Sequence, residues 1–169
     1  TLYLNGEEQS AEENAADFDI NTSYYSNGKI KSTAVVNKAG KKDGVVTLFD
    51  EDGEITNSEI YINGYLLRRG LIDKKGLFQG LWEEYYLNGK LKSKGEYVNG
   101  KKYGEWEYYF TNGKLEQKGT YDKNGLVTGE WNWFYDNGNL LRREEFRRGI
   151  EDGELEEYAL DGKLITKGE

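Results

Sequence analysis

The segment Gly104-Glu-Trp106-Glu-Tyr-Tyr109-Phe-Thr-Asn112-Gly113-Lys-Leu115 decides the fold, because most of the chain repeats it. An Asn-Gly or Asp-Gly pair, followed two positions later by an aliphatic residue, recurs at a spacing near 24 residues. The glycines of this series are Gly28, Gly53, Gly89, Gly113, Gly138 and Gly162, with gaps of 25, 36, 24, 25 and 24 residues. Internal repetition of this kind indicates an array of one supersecondary unit.

Each unit is predicted to be a β-hairpin. Short aromatic and β-branched runs bounded by Asn-Gly favour a two-residue type I′ turn, in which both central residues have a positive φ. A second turn in each unit is expected to end at a glycine such as Gly129. Gly64, inside the one long gap, aligns either with Gly100 as a second turn or with Gly113 as a first turn. The absence of proline also favours strands, and a helix is expected only around residues 11–17.

A two-residue turn would fix which residues of its two strands face each other. In three units it places a glutamate opposite a lysine, and opposed charges stabilise cross-strand pairs. These pairs are Glu83 with Lys94, Glu107 with Lys118, and Glu156 with Lys167. The same counting places Trp106 opposite Gly119, and we expect the indole ring to cover the bare backbone of that glycine.

Alternation of side chains across a strand sorts the repeat onto two faces. Trp106 and Tyr108 lie on the face expected to be buried, and Tyr109 lies on the other face with Glu107. The candidate binding residues are an aromatic stripe and two positions that differ between repeats, because specificity in repeat proteins lies in variable positions. They are Phe49, Tyr85, Tyr109, Phe134, Tyr158, Trp133 and Arg142. The stripe could equally pack beneath lysine stems as a structural column.

The composition excludes several classes of function. With 31 acidic and 23 basic residues the net charge is −8, which disfavours nucleic acid and anionic lipid as partners. Histidine and cysteine are absent, so catalytic triads and thiolate sites are excluded. In the run Asp50 to Glu54 a calcium loop would need Leu48 as its first ligand, and the motif fails there. We therefore expect no catalytic residues, no metal and no cofactor.

The chain is expected to have two parts. Residues 1–22 form an acidic leader that is either disordered or caps the repeats, and residues 23–169 form a continuous hairpin array. The chain starts at Thr1 and contains no methionine, which favours an exported protein, in the periplasm or at the cell surface, over a cytoplasmic one. The fold class predicted is all-β, a single elongated, curled antiparallel β-meander of about six hairpin repeats.

The motifs Gly-x-Trp-x-x-Tyr/Phe, Asn-Gly-Lys-Leu and Lys-Gly-x-Tyr resemble the MORN repeat, in the variant found in bacterial YwqK-like antitoxins. The resemblance extends from about residue 23 to the C-terminus, with Val46 in place of the tryptophan. It implies a non-catalytic module that binds another protein, as an antitoxin or immunity protein does. Membrane association is also common for MORN repeats, but the net charge argues against lipid here. The alternative is a cell-surface or scaffold repeat protein that recognises glycan.

Overall fold

The computed structural model describes residues 18–168 in full and the backbone of residues 2–4 and 7–9. Every regular element in these ranges is a β-strand. The helix expected around residues 11–17 lies outside the described residues. In the main sheet of thirteen strands the strand order is the sequence order and neighbouring strands are antiparallel, which confirms the predicted all-β meander. No helix long and apolar enough to cross a membrane occurs in the described part of the chain.

The chain divides into two compact units, Thr1–Leu67 and Arg68–Glu169. The first unit contains a separate two-stranded sheet and the first four strands of the main sheet, each paired with the next. The six strands are β1 Leu2–Leu4, β2 Glu7–Gln9, β3 Phe18–Tyr24, β4 Ile30–Asn37, β5 Lys42–Phe49 and β6 Ile55–Ile62. Its core is small, with Val36 and Val46 buried. A valine buries less apolar area than the tryptophan that later repeats carry at the Val46 position.

The second unit contains eight strands and the end of a ninth, β7, which begins in the first unit. These nine strands are β7 Tyr65–Ile72, β8 Phe78–Tyr85, β9 Leu91–Val98, β10 Lys101–Tyr109, β11 Leu115–Tyr121, β12 Val127–Phe134, β13 Leu140–Arg147, β14 Ile150–Tyr158 and β15 Leu164–Gly168. Each strand pairs with the next, and the register of the three predicted Glu-Lys pairs is confirmed.

The turns of the Asn-Gly and Asp-Gly series are three-residue turns, and the predicted type I′ geometry is wrong for them. The N–H of Gly113 donates to the carbonyl of Phe110 (2.8 Å), and the N–H of Phe110 donates to the carbonyl of Lys114 (2.9 Å). Gly113 has a φ of 91°, whereas the asparagine before it has no positive φ. This is a type I turn closed by a left-handed glycine. A one-residue bulge beside the turn restores the register that two-residue counting gave, with Glu107 opposite Lys118.

Two-residue turns with two positive φ values occur instead at three of the second turns. Their first residues, Asn63, Asn99 and Arg148, have φ values of 48°, 51° and 52°, and a glycine follows each. The turn at Gly64 therefore has the geometry of the turn at Gly100. Of the two alignments considered for Gly64, the turn itself fits the alignment with Gly100. The strand after it, β7, nevertheless matches the strand that follows a first turn, because its Gly70 lies beneath a tryptophan.

The Gly-x-Trp motif forms a bulge in the strand. Pairing of β10 with β9 shifts by two residues between Tyr103 and Trp106, at a glycine whose φ is 66°. Gly129, which was expected to end a turn, occupies the same bulge position within β12, with a φ of 65°. Glycine is found at these two bulge positions because it adopts a positive φ without steric cost. Beside the bulge, the indole Nε1 of Trp106 donates to the carbonyl oxygen of Glu96 (3.1 Å), which ties the ring to the preceding strand.

The core of the second unit is a row of aromatic rings on one face of the sheet. Trp82 and Trp106 are fully buried, and Tyr97 stands edge-on between them. The expected covering of glycine by indole occurs, but over a different glycine: Trp106 lies above Gly95 of the preceding strand, not above its hairpin partner Gly119. The indole of Trp106 also donates its hydrogen bond to the backbone of β9, whereas Trp82 covers Gly70 with no hydrogen-bond partner for its Nε1 among the residues described. We call this face the tryptophan face.

Candidate binding surface

A ladder of mainly alternating charges crosses the opposite face of the second unit. It takes one residue from each of nine neighbouring strands, each directly opposite the next. In strand order the residues are Arg69, Glu83, Lys94, Glu107, Lys118, Asn132, Arg143, Glu156 and Lys167. We call this row the charge ladder and the surface that carries it the ladder face. Asn132 breaks the alternation, because a glutamate would continue it.

The ion pairs of the ladder mostly run to the preceding strand, which corrects two of the predicted pairings. Glu107 binds Lys94 of the preceding strand at 2.7 Å, although Lys118 also faces it. Glu83 likewise binds Arg69. Only the last predicted pair, Glu156 with Lys167, forms within its hairpin, at 3.2 Å. Side chains of this face thus lean in the same direction as the indole rings.

Lys118 consequently has no ion pair within the described residues. The strand that follows it carries Asn132 where the other repeats of the second unit carry a glutamate. The amide of Asn132 instead donates to a carboxylate oxygen of Glu130 (2.7 Å). The break in the ladder therefore leaves one ammonium group without an ion pair in the middle of the face.

Tyrosines of the stripe hold the ladder carboxylates in place. The hydroxyls of Tyr85 and Tyr158 each donate to the glutamate two residues earlier, both at 2.6 Å, and Tyr109 donates to Glu107 in the same way. Hydrogen bonds from Lys94 and then Tyr109 hold the pKa of Glu107 below its usual value. Tyr85 has the largest effect on Glu83, whose pKa is also lowered. These carboxylates are therefore ionised well below neutral pH.

The stripe rings themselves are half-buried within the ladder. The guanidinium of Arg69 lies 5.8 Å from the ring centre of Tyr85, and the ammonium of Lys94 lies 5.9 Å from that of Tyr109. The backbone of the stripe is fixed as well, because the phenol of Tyr86 donates to the carbonyl of Tyr109 (2.7 Å). Phe134 occupies the equivalent position without a hydroxyl group, and Phe49 belongs to the first unit.

Trp133 and Arg142, the two repeat-breaking candidates, lie on the tryptophan face, so the structure does not join them to the stripe. The guanidinium of Arg142 lies 5.4 Å from the ring centre of Trp133 and forms an ion pair with Glu144 at 2.7 Å. Glu144 is 4% exposed and occupies the column that holds glycine in the preceding repeats. Leu155 replaces the tryptophan of the next strand beside it, because a glutamate there leaves no room for an indole.

A row of exposed glutamates runs beside the charge ladder on the ladder face. It consists of Glu96, Glu105, Glu130 and Glu145, from four strands, and we call it the acidic row. Within the described residues, Glu96, Glu105 and Glu145 have no ion pair. Glu130 stands directly opposite Glu145, an arrangement that destabilises a sheet, and Arg143, at 3.6 Å, and the amide of Asn132 partly offset it.

Sequence reasoning did not find the acidic row. Glu105 and Glu130 are the middle residues of the Gly-x-Trp bulges, where pairing with the preceding strand shifts. The available signal was the recurrence of an acidic residue between the glycine and the tryptophan in these two repeats. The structure brings both residues to one depression of about 230 Å³, which Glu107, Lys118, Thr120 and Asn132 also line.

The chemistry of this surface is that of recognition. Three carboxylates, one ammonium group, an amide and a hydroxyl surround the depression, which suits polar contacts with a partner. No group of acidic side chains able to hold a metal ion occurs within the described ranges. The carboxylate of Asp50, considered above for calcium, accepts hydrogen bonds from the N–H groups of Asp52 and Glu54, both at 2.9 Å, and so closes its own turn.

Comparison with known families identifies the repeat. The model of the MORN repeat variant matches four segments of the chain, residues 20–37, 78–99, 102–123 and 127–147. No curated protein matches the chain. Repeats of this family act as protein- or membrane-interaction modules and are not enzymes as a family. The hairpins and the Gly-x-Trp bulges agree with these four matches, which show that the chain contains repeats similar to the MORN repeat variant in these segments.

Proposed function

We propose that this chain is a non-catalytic protein-binding module that masks a basic partner protein, in the manner of an antitoxin or immunity protein. The observation that carries the proposal is the acidic row. Three of its four carboxylates have no ion pair within the described residues, and the fourth faces a like charge. Surface carboxylates arranged in this way favour a cationic partner, whose charges would relieve the repulsion.

The neighbouring ladder supports the same surface in a different way. Its charges are mostly neutralised by one another, so they add little net attraction, and they hold the stripe tyrosines in fixed positions. Rigid tyrosines supply contact area at a low cost in conformational entropy. Lys118, which has no ion pair in the described structure, adds one donor for an acidic or carbonyl group of the partner. Attraction from the acidic row and specific contacts from the ladder are thus adjacent.

A glycan-binding cell-surface or scaffold role is the competing proposal. Sugar rings stack on exposed aromatic faces, whereas cationic side chains lie near the rings of Tyr85 and Tyr109. Stacking would require Arg69 and Lys94 to leave both the rings and their glutamates. The ladder face therefore favours a protein partner over a glycan.

The experiment is a capture assay from lysate and envelope fractions of the source cell. The test variant is Glu96→Gln/Glu105→Gln/Glu145→Gln, which removes three charges from the acidic row and relieves the Glu130 repulsion. The matched control, Asp52→Asn/Asp136→Asn/Glu151→Gln, removes three exposed charges elsewhere. We expect wild type and control to retain a basic protein at low salt and the test variant to lose it.

The dependence of capture on salt concentration distinguishes the protein-partner proposal from the glycan proposal. The Debye length falls from about 10 Å at 0.1 M salt to about 3 Å at 1 M, so capture through the acidic row should weaken steeply as salt rises. Glycan stacking would be nearly indifferent to salt. Retention of the same partner by the test variant, or a partner without a basic surface, would contradict the proposal.

A further inference from the structure

An exposed aromatic residue, Tyr103, lies on the ladder face within the acidic row. Tyr103 in β10 stands directly opposite Glu96 in β9, and Glu96 stands directly opposite Leu81 in β8. Residues that face each other directly in a sheet project from the same face. The three side chains therefore form one line across three neighbouring strands, and we call them the Tyr103 trio.

Tyr103 differs from the tyrosines of the stripe because its ring and hydroxyl are unoccupied. The rings of Tyr85 and Tyr109 lie near cationic groups of the ladder, and their hydroxyls donate to glutamates. Tyr103 is 43% exposed, and among the residues that the structure describes no cation lies over its ring and no hydrogen bond joins its hydroxyl. It is therefore an aromatic ring of the ladder face that is open to a cation from another molecule.

The two apolar members of the trio are not part of the repeat pattern. The residue before the glycine of the Gly-x-Trp bulge is Tyr103 in β10, but Gln79 in β8 and Thr128 in β12. Leu81 stands between the glycine and the tryptophan of its own strand, at the place that Glu105 takes in β10, and it is 66% exposed. The repeat therefore does not account for an exposed ring and an exposed aliphatic side chain on either side of Glu96.

Two carboxylates lie beside the ring of Tyr103. Glu96 faces it across the strands, and Glu105, two residues before Glu107, projects from the same face. Neither carboxylate has an ion pair in the part of the chain that the structure describes. Leu81 stands two strands from Tyr103, about 10 Å away at the ordinary strand spacing. The space above Glu96 thus has an aliphatic side chain on one side and an aromatic ring on the other.

An arginine side chain matches these groups better than a lysine side chain does. The guanidinium group is planar, stacks on aromatic faces and donates to carboxylates as a fork, whereas the ammonium group of lysine is a compact and strongly hydrated point charge. A cation over a tyrosine ring gains attraction beyond that of its ion pair. The methylene stem of arginine also packs along apolar surface, which Leu81 supplies.

We propose that the Tyr103 trio, together with Glu105, is a subsite for one arginine side chain of a basic partner protein. The guanidinium group stacks on Tyr103 and pairs with Glu96 and Glu105, while the methylene stem packs on Leu81. The carboxylates without ion pairs call for a cation, and the open ring distinguishes arginine from lysine. The subsite rests on the function proposed above, because it names the residue of the partner that the acidic row receives.

The test compares two labelled peptides, Lys-Lys-Arg-Lys-Lys and Lys-Lys-Lys-Lys-Lys, by fluorescence anisotropy with the full chain at low salt. The peptides have equal charge, so long-range attraction to the acidic row is the same for both. We expect wild type to bind the arginine peptide about threefold more tightly or more, the range of an exposed cation–π contact. Tyr103→Leu should bind both peptides equally. The control Tyr24→Leu, which removes a ring that is 61% exposed in the first unit, should keep the preference.

Two further variants distinguish the subsite from the acidic row as a whole. Leu81→Thr should weaken both peptides about twofold or more, since both stems lose an apolar contact. Glu96→Gln/Glu105→Gln/Glu145→Gln should weaken both peptides about tenfold or more. Equal affinities of the two peptides for wild type, an arginine preference that survives in Tyr103→Leu, or no effect of Leu81→Thr would overturn the subsite and leave the acidic row intact. Undiminished binding of both peptides by the triple variant would contradict the proposed function, and the subsite with it.

Discussion

The contact between Gly119 and Trp131 offers a sharp test of how the sheet is built. In Gly119→Ala the new Cβ atom would lie 2.5 Å from Cγ of Trp131, whereas ordinary contacts begin at 3.4 Å. The ring must therefore move by about 1 Å, which is an overpacking cost of about 1–3 kcal/mol. The aromatic rings of Tyr121 and Trp133, with centres 5.3 and 6.1 Å from that of Trp131, restrict this movement.

Two smaller contributions to the stability change in Gly119→Ala have opposite signs. Movement of the ring breaks the hydrogen bond from its Nε1 to the carbonyl of Thr120, 3.2 Å long, at a cost of about 1 kcal/mol. Replacing a strand glycine with alanine recovers about 0.5–1 kcal/mol of backbone entropy. We therefore expect Gly119→Ala to lower the free energy of unfolding by about 2 kcal/mol, while Gly168→Ala, which meets no atom within 4 Å, leaves it unchanged or slightly raised.

The assay is urea unfolding, followed by circular dichroism, of four variants. They are Gly119→Ala, Gly168→Ala, Trp131→Leu and the double variant Gly119→Ala/Trp131→Leu. Leucine at position 131 is smaller and makes room for the methyl group of alanine at position 119. The double variant should therefore lose less unfolding free energy than the two single variants lose in sum, by about 1 kcal/mol or more. The chain already contains a pair of this kind in Glu144 and Leu155. Wild-type stability in Gly119→Ala, or strict additivity in the double variant, would refute the reasoning.

Two further predictions concern the turns and the ladder. Arg148 has a φ of 52°, a conformation that asparagine tolerates better, so Arg148→Asn should raise the free energy of unfolding by about 0.5–1 kcal/mol, measured by urea unfolding; no gain would contradict the turn geometry. The pKa of Glu83 is lowered in the fold from an ordinary value of 4.5, mainly by Tyr85, so its stabilising effect is complete above that pH and is lost as the pH falls through the lower folded value. Tyr85→Phe should therefore make the loss of stability between pH 5 and about 3 shallower, as seen in urea midpoints across that range, and an unchanged pH profile would contradict the role of this hydroxyl.

The repeat predicted the register correctly although the turn type was wrong. A three-residue turn beside a one-residue bulge gives the same pairing as a two-residue turn, so opposed charges such as Glu107 and Lys118 could not distinguish the two. The spacing alone also could not predict the direction in which side chains lean. Trp106 has Gly95 on one side and Gly119 on the other, and its ring covers Gly95, a choice that the equal spacing on the two sides does not determine.

The candidate surface was predicted less well than the fold. Alternation placed Tyr109 with Glu107 on one face, and their hydrogen bond agrees. Trp133 and Arg142 were grouped with the stripe because they vary between repeats, yet variation does not indicate a face. The acidic row was missed although alternation places Glu105 on the same face as Glu107, because the row is distinguished by its lack of cationic partners, which spacing alone does not give.

The central claim, that the acidic row binds a basic partner protein, is tested most directly by the dissociation constant of the purified partner at low salt. We expect the variant Glu96→Gln/Glu105→Gln/Glu145→Gln to bind at least about tenfold more weakly than wild type, which corresponds to about 1.4 kcal/mol. The control Asp52→Asn/Asp136→Asn/Glu151→Gln should bind as wild type does. Equal dissociation constants for wild type and the acidic-row variant would contradict the claim.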